Sequence, residues 1–339
     1  MYSKHFGLTR KPFDLIPDPR TVFMSDAHQE ALAILRYGIV DRKGFLLLTG
    51  DIGTGKTTLL QALIISLDTR VHVCFIANPT LSAADFYYFL SSKYGLSDYD
   101  GNKAKFLISF AEFLKNCRQS GERVLLIIDE AHVFPVELLE EIRLLSNQEF
   151  QEYGLLSIFL VGQPELNDRL AHERLLPLRQ RIGIRFHLKP FSDKETADYI
   201  NFRMRKAGAQ RLDIFTDDAI RLIHHVSGGT PRAINVLCDQ ALLSAFAESK
   251  LAVDAGIVKE CVQELKIPGE VASPSVPPKG VFRSSDKSFL WQMVTALLVI
   301  LLFFLMLGIF FKIYQDVSLD SLSMSAEPVN QVSLNLGTS

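Results

Sequence analysis

The sequence predicts an α/β fold: a doubly wound parallel sheet, then a small all-helical domain, then a single transmembrane helix. Three observations lead there. Between residues 45 and 188, short unbroken apolar runs alternate with helical stretches. That is the pattern of parallel strands buried on both faces and joined by crossover helices. From Pro190 to residue 266 the apolar residues recur only at helical spacing. Beyond a linker rich in proline and serine, residues 289–311 form a 23-residue apolar run with no charged side chain. At 1.5 Å per residue it spans a hydrocarbon layer of roughly 30 Å.

In order, residues 1–44 begin with HFGLTRKPFDLIPDP, where proline and glycine interrupt apolar residues and predict an irregular packed segment. Residues 27–40 predict a helix, with Ala31, Leu32, Ile34, Leu35 and Ile39 on its apolar face. A strand over 45–48, a glycine-rich loop and a helix over 59–67 follow. Residues 71–77 predict the second strand. Ser82 and Asp85 form a capping box that opens a helix to about residue 94. Residues 103–119 are amphipathic and helical, 124–128 a third strand, 135–148 a helix, 155–161 a fourth strand and 184–188 a weaker fifth. In the helical domain, Ser192 and Glu195 cap a helix over 193–206. A helix over 217–226 stops at Gly228-Gly229. Thr230 and Pro231 start a long helix to about residue 248, and residues 254–265 form the last. Residues 267–288 hold four prolines and read as linker.

The chain has 339 residues, 36 basic and 38 acidic, for a formal net charge of −2. The residues from Phe289 onward hold one base, Lys312, and three acids, Asp316, Asp320 and Glu327, which leaves 35 of each sign in residues 1–288. That balance speaks against a bulk electrostatic nucleic-acid binder. Cys74, Cys117, Cys238 and Cys261 are widely spaced and form no CxxC, so single buried thiols are expected rather than a disulfide or metal site. The N-terminus lacks the apolar stretch of a signal peptide. Lys279, Arg283 and Lys287 precede the apolar run and Lys312 alone closely follows it. The positive-inside rule then puts the N-terminal side in the cytoplasm and residues 312–339 across the membrane as a short tail.

The chemistry starts at Gly50-Asp51-Ile52-Gly53-Thr54-Gly55-Lys56-Thr57-Thr58, which is GxxxxGK[ST] between a strand and a helix. The glycines let backbone N–H groups curl around phosphate oxygens, and the helix start aims its positive end there. Lys56 supplies charge for the β- and γ-phosphates of ATP, and the Thr57 hydroxyl is a ligand for Mg²⁺. Asp129 and Glu130 end the third strand. Asp129 is placed to act on the Mg²⁺ side and Glu130 to deprotonate the attacking water. His132 completes the letters DEAH and reads as a bystander. Gln163 follows the fourth strand, where its amide can meet the γ-phosphate or the water. Arg179, Arg181 and Arg185 lie at the turn into the fifth strand, a place better suited to a neighbour's phosphates than to the chain's own. Arg232 opens the long helix after Gly-Gly and can carry its guanidinium to the nucleotide from the second domain.

The order GDIGTGKTT, VLLIIDE, Gln163, QRI at 180–182 and SGGTPR at 227–232 resembles an AAA+ ATPase with a helical lid. The resemblance makes Arg181 the arginine finger with Arg179 in reserve, Gln163 the sensor-1 residue in place of the more usual Asn, and Arg232 the sensor-2 residue. The opening YSKHFGLTRKPFDLIPDPRTVFMSDAHQEALAILRYGI is similar to ExeA/GspA-type ATPases of bacterial secretion and type IV pilus systems, MshM-like proteins included. It covers about residues 1–266 and implies that residues 6–37 help hold the adenine. That family places a peptidoglycan-binding domain after its transmembrane helix, and residues 312–339 are too few for one.

The resulting expectation is a nucleotide-binding core over 1–190, including an adenine-side segment over 1–44, and a lid over 191–266. A linker over 267–288, a transmembrane helix over 289–311 and a tail follow. It describes an oligomeric Mg-ATP hydrolase of the bacterial inner membrane that serves an inner-membrane partner in secretion, pilus assembly or export. Two rivals stand beside it: a DNA-associated AAA+ regulator of the transposition type, and an ATP switch or scaffold that hydrolyses slowly.

Overall fold

The computed structural model describes residues 2–14, 22–41, 44–77, 81–96, 99–146 and 155–265. Five strands form one parallel sheet: β1 (Phe45–Gly50), β2 (Val71–Ile76), β3 (Arg123–Ile128), β4 (Leu156–Gly162) and β5 (Ile182–Leu188), in the order β2-β3-β4-β1-β5. The central strands β1, β3 and β4 are the apolar runs of the sequence, with β1 and β4 buried at every position. Placing β4 between β1 and β3 brings three strand ends side by side, which is where ligands gather in sheets of this kind. The edge strand β5 alternates between buried and exposed positions, and this explains its weaker apolar signal.

Helices cover both faces. On one face, α2 (Asp26–Val40) and α3 (Lys56–Ile65) set Ala31, Leu35, Leu59, Leu60 and Leu63 against Leu46, Leu48, Phe159 and Val161. On the other, α4 (Ala83–Tyr94), α5 (Lys103–Gln119) and α6 (Val136–Leu145) pack Phe86, Phe110 and Ile142 against Leu126, Ile158 and Leu160. Each buried leucine, isoleucine, valine or phenylalanine among them contributes about 1.5–3 kcal/mol of transfer free energy. The expected capping box at Ser82 and Asp85 is present in both directions. Three short helices escaped the periodicity reading: α1 (Tyr2–His5), α7 (Glu165–Leu170) and α8 (Leu176–Arg181). None is long enough to display a repeat.

The helical domain consists of α9 (Asp193–Lys206), α10 (Asp217–Ser227), α11 (Pro231–Ala247) and α12 (Ala255–Leu265) around their own core. The Ser192–Glu195 box and Pro231 at the start of α11 stand as the sequence predicts. The chain's first residues cross over to this core: Tyr2, Phe6, Leu8 and Phe13 are buried among Ile200, Met204 and Leu237. The adenine-side segment thus divides, its first part serving the lid and α2 serving the sheet.

The four cysteines are buried thiols. Outside the main cleft, Cys117 lies with His72 and Glu122, their potential ligand atoms within 4.8 Å of one another. Burial and then Glu122 push the Cys117 thiol up to about 11, and His72 Nε2 already meets Glu122 Oε2 at 3.0 Å. The group therefore acts as a tie between β2, the end of α5 and the turn that leads into β3. Among the described residues no helix is long and apolar enough to cross a membrane. The predicted linker, the run at 289–311 and the tail lie outside the described residues.

Candidate nucleotide site

A cleft of about 420 Å³ opens where the ends of the central strands meet the helical domain. Its wall on the strand side comprises Ile52, Gly53, Gly55, Lys56, Thr57, Thr58, Glu130 and Gln163, and the lid contributes Arg232. Nine predicted site residues thus converge in one cavity. Gly50, Asp51, Thr54 and Asp129 are not on its surface and act from behind. Thr54 is fully buried and its hydroxyl donates to the Asp51 carbonyl at 2.9 Å. Lys56 Nζ donates to the carbonyls of Gly50 at 2.6 Å and Asp51 at 2.9 Å. Burial holds its ammonium below the usual lysine range, opposed by Glu130, Asp129 and Asp51.

The hydroxyl of Thr57 donates to Asp129 Oδ2 at 2.7 Å. Asp129 is buried at the end of β3, and its Oδ1 accepts from the Glu130 N–H at 3.0 Å. A hydroxyl and a carboxylate side by side form an all-oxygen donor set of the kind Mg²⁺ prefers, so the residues fit the ion. Glu130 takes φ 55°, a left-handed conformation uncommon outside glycine. Its Oε2 is buried and accepts no hydrogen bond.

His132, read from the sequence as a bystander, has neighbours in the cleft. Its Nδ1 stands 3.3 Å from Glu130 Oε2 and 3.4 Å from the Gln163 backbone N–H. The ring sits between Glu130 and Gln163, two residues of the cleft wall, and accepts from the second. The letters DEAH contained the residue, but only the adjacency of β3 and β4 gives it partners.

The lid approaches the loop closely. The Arg232 N–H donates to the Gly53 carbonyl at 3.3 Å, and a Cβ on Gly53 would come within 2.8 Å of Arg232 Cβ. Gly229, at φ 71°, lies so near Phe191 that a Cβ would sit 2.0 Å from its carbonyl oxygen. These two contacts explain why SGGTPR places Arg232 at the cleft.

The remaining wall was not read from the sequence residue by residue. Phe23, Phe191 and Tyr199 line the cleft with ring centroids 5.2–5.6 Å apart. Tyr199 donates to Asn235 Oδ1 at 2.8 Å, and Arg203 donates to the Tyr199 hydroxyl at 3.2 Å and to the Pro12 carbonyl. His28 on α2 is buried, and its Nε2 donates to the Thr54 carbonyl at 3.1 Å. Burial holds its imidazole below the ordinary 6.5. Phe23 and His28 fall within the segment expected to hold the adenine.

Arg181 stands elsewhere. It precedes β5, whose first residue, Ile182, pairs with Phe45 at the start of β1. A strand of seven residues, roughly 20 Å, separates it from the loop end of the sheet. Its guanidinium donates to Ser146 Oγ at 2.7 Å and the Arg143 carbonyl at 3.3 Å, at the end of α6. Arg179, two residues earlier, is exposed, and its carbonyl accepts from Arg185 at 3.1 Å.

The AAA domain family matches residues 40–170. General secretion pathway protein A of Aeromonas hydrophila is 40% identical over 269 residues, 78% of this chain and 48% of the relative, so the chain spans about half of that relative's length. Among solved structures, the Aeropyrum pernix ORC2 protein in its ADP form has a TM-score of 0.55 at 16% identity, covering 76% of this chain and 72% of that one. The Cdc6p of Pyrobaculum aerophilum has a TM-score of 0.54 at 15% identity, over 75% and 70% of the two chains. These two share the fold. The chain is ExeA/GspA-like in sequence, with an AAA domain match over residues 40–170.

Proposed function

We propose that this protein is a membrane-anchored ATPase that binds Mg-ATP, hydrolyses it as an oligomer and drives assembly or export by a cell-envelope apparatus. The observation that carries the reading is the convergence of Lys56, the Thr57–Asp129 bond, Glu130, Gln163 and Arg232 on one cleft. Lys56 and the loop N–H groups bind the β- and γ-phosphates. Thr57 and Asp129 hold the Mg²⁺, which neutralises charge on the phosphates when bound. Glu130 takes the proton of the attacking water, and Gln163 orients that water or the γ-phosphate. Arg232 ties nucleotide state to the lid. Phe23 and Tyr199 hold the base, with Asn235 fixed beside them.

Three further steps complete the reading. An arginine of the turn at 179–181 enters the site of a neighbouring copy, because that turn lies far from the chain's own phosphates. Residues 289–311 anchor the motor in the inner membrane with the ATPase domain in the cytoplasm, as their length and flanking charges favour. The similarity to General secretion pathway protein A favours a secretion, pilus or export partner.

The test is ATP turnover of the purified full-length chain against its own concentration, with Arg179→Ala and Arg181→Ala beside it. Activity per subunit should rise with concentration and fall at least tenfold in one variant. Arg181→Ala needs a melting curve alongside, since it also loses its bonds to α6. Activity independent of concentration, with both variants unimpaired, contradicts the shared site. Salt-sensitive binding of duplex DNA would support the regulator instead.

A further inference from the structure

We propose that His132 is a positioning residue that couples the Glu130 carboxylate to the Gln163 backbone, and so links the water-activating group to the strand end facing the γ-phosphate. The inference rests on the proposed roles of Glu130 and Gln163.

The local chain path makes the coupling possible. Glu130 turns left-handed at the end of β3, and Ala131–Val133 form a short 3-10 turn. The reversal swings the His132 ring back beneath Glu130 and across to β4. The side chain is 14% exposed, so its contacts are with protein rather than water. β4 ends in Gly162, where an added Cβ would come within 3.1 Å of His132 Nδ1 and 3.2 Å of its backbone nitrogen. A side chain at 162 would take the space the ring uses.

One nitrogen serves two partners. Nδ1 lies 3.4 Å from the Gln163 N–H, which can only donate, and 3.3 Å from Glu130 Oε2, which as a carboxylate can only accept. An Nδ1 without a proton accepts from Gln163. The structure holds the first arrangement, with Glu130 Oε2 close by but not hydrogen-bonded; an Nδ1 that carries a proton would release the Gln163 N–H and, with a small turn of the carboxylate, donate to Glu130. The ring cannot satisfy both at once, so the two contacts alternate. Glu130 Oε2 is buried and accepts no hydrogen bond, and an unpaired buried carboxylate oxygen is a strong claimant for a donor. A movement of the Gln163 strand end therefore changes what holds Glu130. A general base needs this kind of restraint, because a small misplacement of the carboxylate costs rate without costing affinity.

The experiment compares kcat, KM and nucleotide affinity in the full-length chain for His132→Ala, His132→Asn, Gly162→Ala and Glu130→Gln. His132→Ala should lower kcat about tenfold, the size of one charge-assisted hydrogen bond, with KM and affinity unchanged within about twofold. Asparagine sets an amide near the place of Nδ1 and should recover most of the rate. Gly162→Ala keeps the imidazole but displaces it, and should lower kcat as His132→Ala does. Unchanged kcat in His132→Ala, with turnover abolished in Glu130→Gln, overturns the coupling and leaves hydrolysis by Glu130 intact. A kcat loss accompanied by lost affinity and no rescue by asparagine makes the ring a structural prop and also overturns it. Full turnover in Glu130→Gln overturns the reading beneath both.

Discussion

The two sides of the cleft are built in different ways. The phosphate side comes from three adjacent strand ends, and its chemistry sits in residues next to one another: Gly50 to Thr58, Asp129–Glu130, and Gln163. The opposite side, proposed to hold the base, comes from Phe23 and His28, from Phe191, Tyr199 and Arg203, and from Asn235, three stretches that meet only after folding. Phosphate binding by backbone N–H groups requires a contiguous loop, so that side carries a motif. A flat apolar base can be held by aromatic rings from any element, so the other side carries none. The first side is robust because its backbone is fixed by the sheet; the second depends on how closely the lid packs.

If that contrast is right, the largest effect comes from breaking the lid contact itself. Gly229→Ala forces a Cβ against the Phe191 carbonyl and into a left-handed backbone. We expect a loss of at least about 3 kcal/mol of stability, read by denaturant or thermal unfolding. A change under about 1 kcal/mol would mean that the lid and core adjust freely there. A smaller effect separates the two sides directly. Tyr199→Phe removes the hydroxyl shared by Asn235 and Arg203, a loss of about 1 kcal/mol. The dissociation constant for ATP should rise about fivefold while that for inorganic triphosphate stays the same. Equal weakening of both would dissolve the distinction.

The smallest effect joins the sides through His28. Burial holds this imidazole neutral in the folded protein, below its ordinary 6.5, although the Thr54 carbonyl pulls the other way. The unfolded chain takes up the proton as pH falls through about 6.5, so the stability owed to His28 is present above that value and is lost as pH drops toward the lower folded value. The melting temperature should therefore fall between pH 7 and pH 5.5 more steeply in the wild type than in His28→Gln. Parallel curves would remove His28 as the source.

The same contrast sets what could be read in advance. The sheet, the main helices and both serine capping boxes were legible because apolar runs, helical periodicity and cap chemistry are local signals. Lys56, Asp129 and Glu130 were legible as part of motifs. His132 was visible by letter but its neighbours were not, because Glu130 and Gln163 follow adjacent strands rather than lying in one stretch. Tyr199, Arg203 and Asn235 carry no local sign: on α9 and α11 they look like ordinary amphipathic positions until the lid closes over Phe23. The burial of Tyr2, Phe6 and Phe13 in the lid core, distant in sequence from α9 to α12, was likewise outside the reach of periodicity.

The most direct measurement is nucleotide binding and Mg²⁺-dependent ATP turnover of the full-length chain, made on the wild type, Lys56→Ala and Glu130→Gln. Lys56→Ala should weaken binding at least a hundredfold. Glu130→Gln should bind ATP as the wild type does and turn it over at least a hundredfold more slowly, the usual share of a general base. Undiminished turnover in Glu130→Gln would contradict the account at its centre.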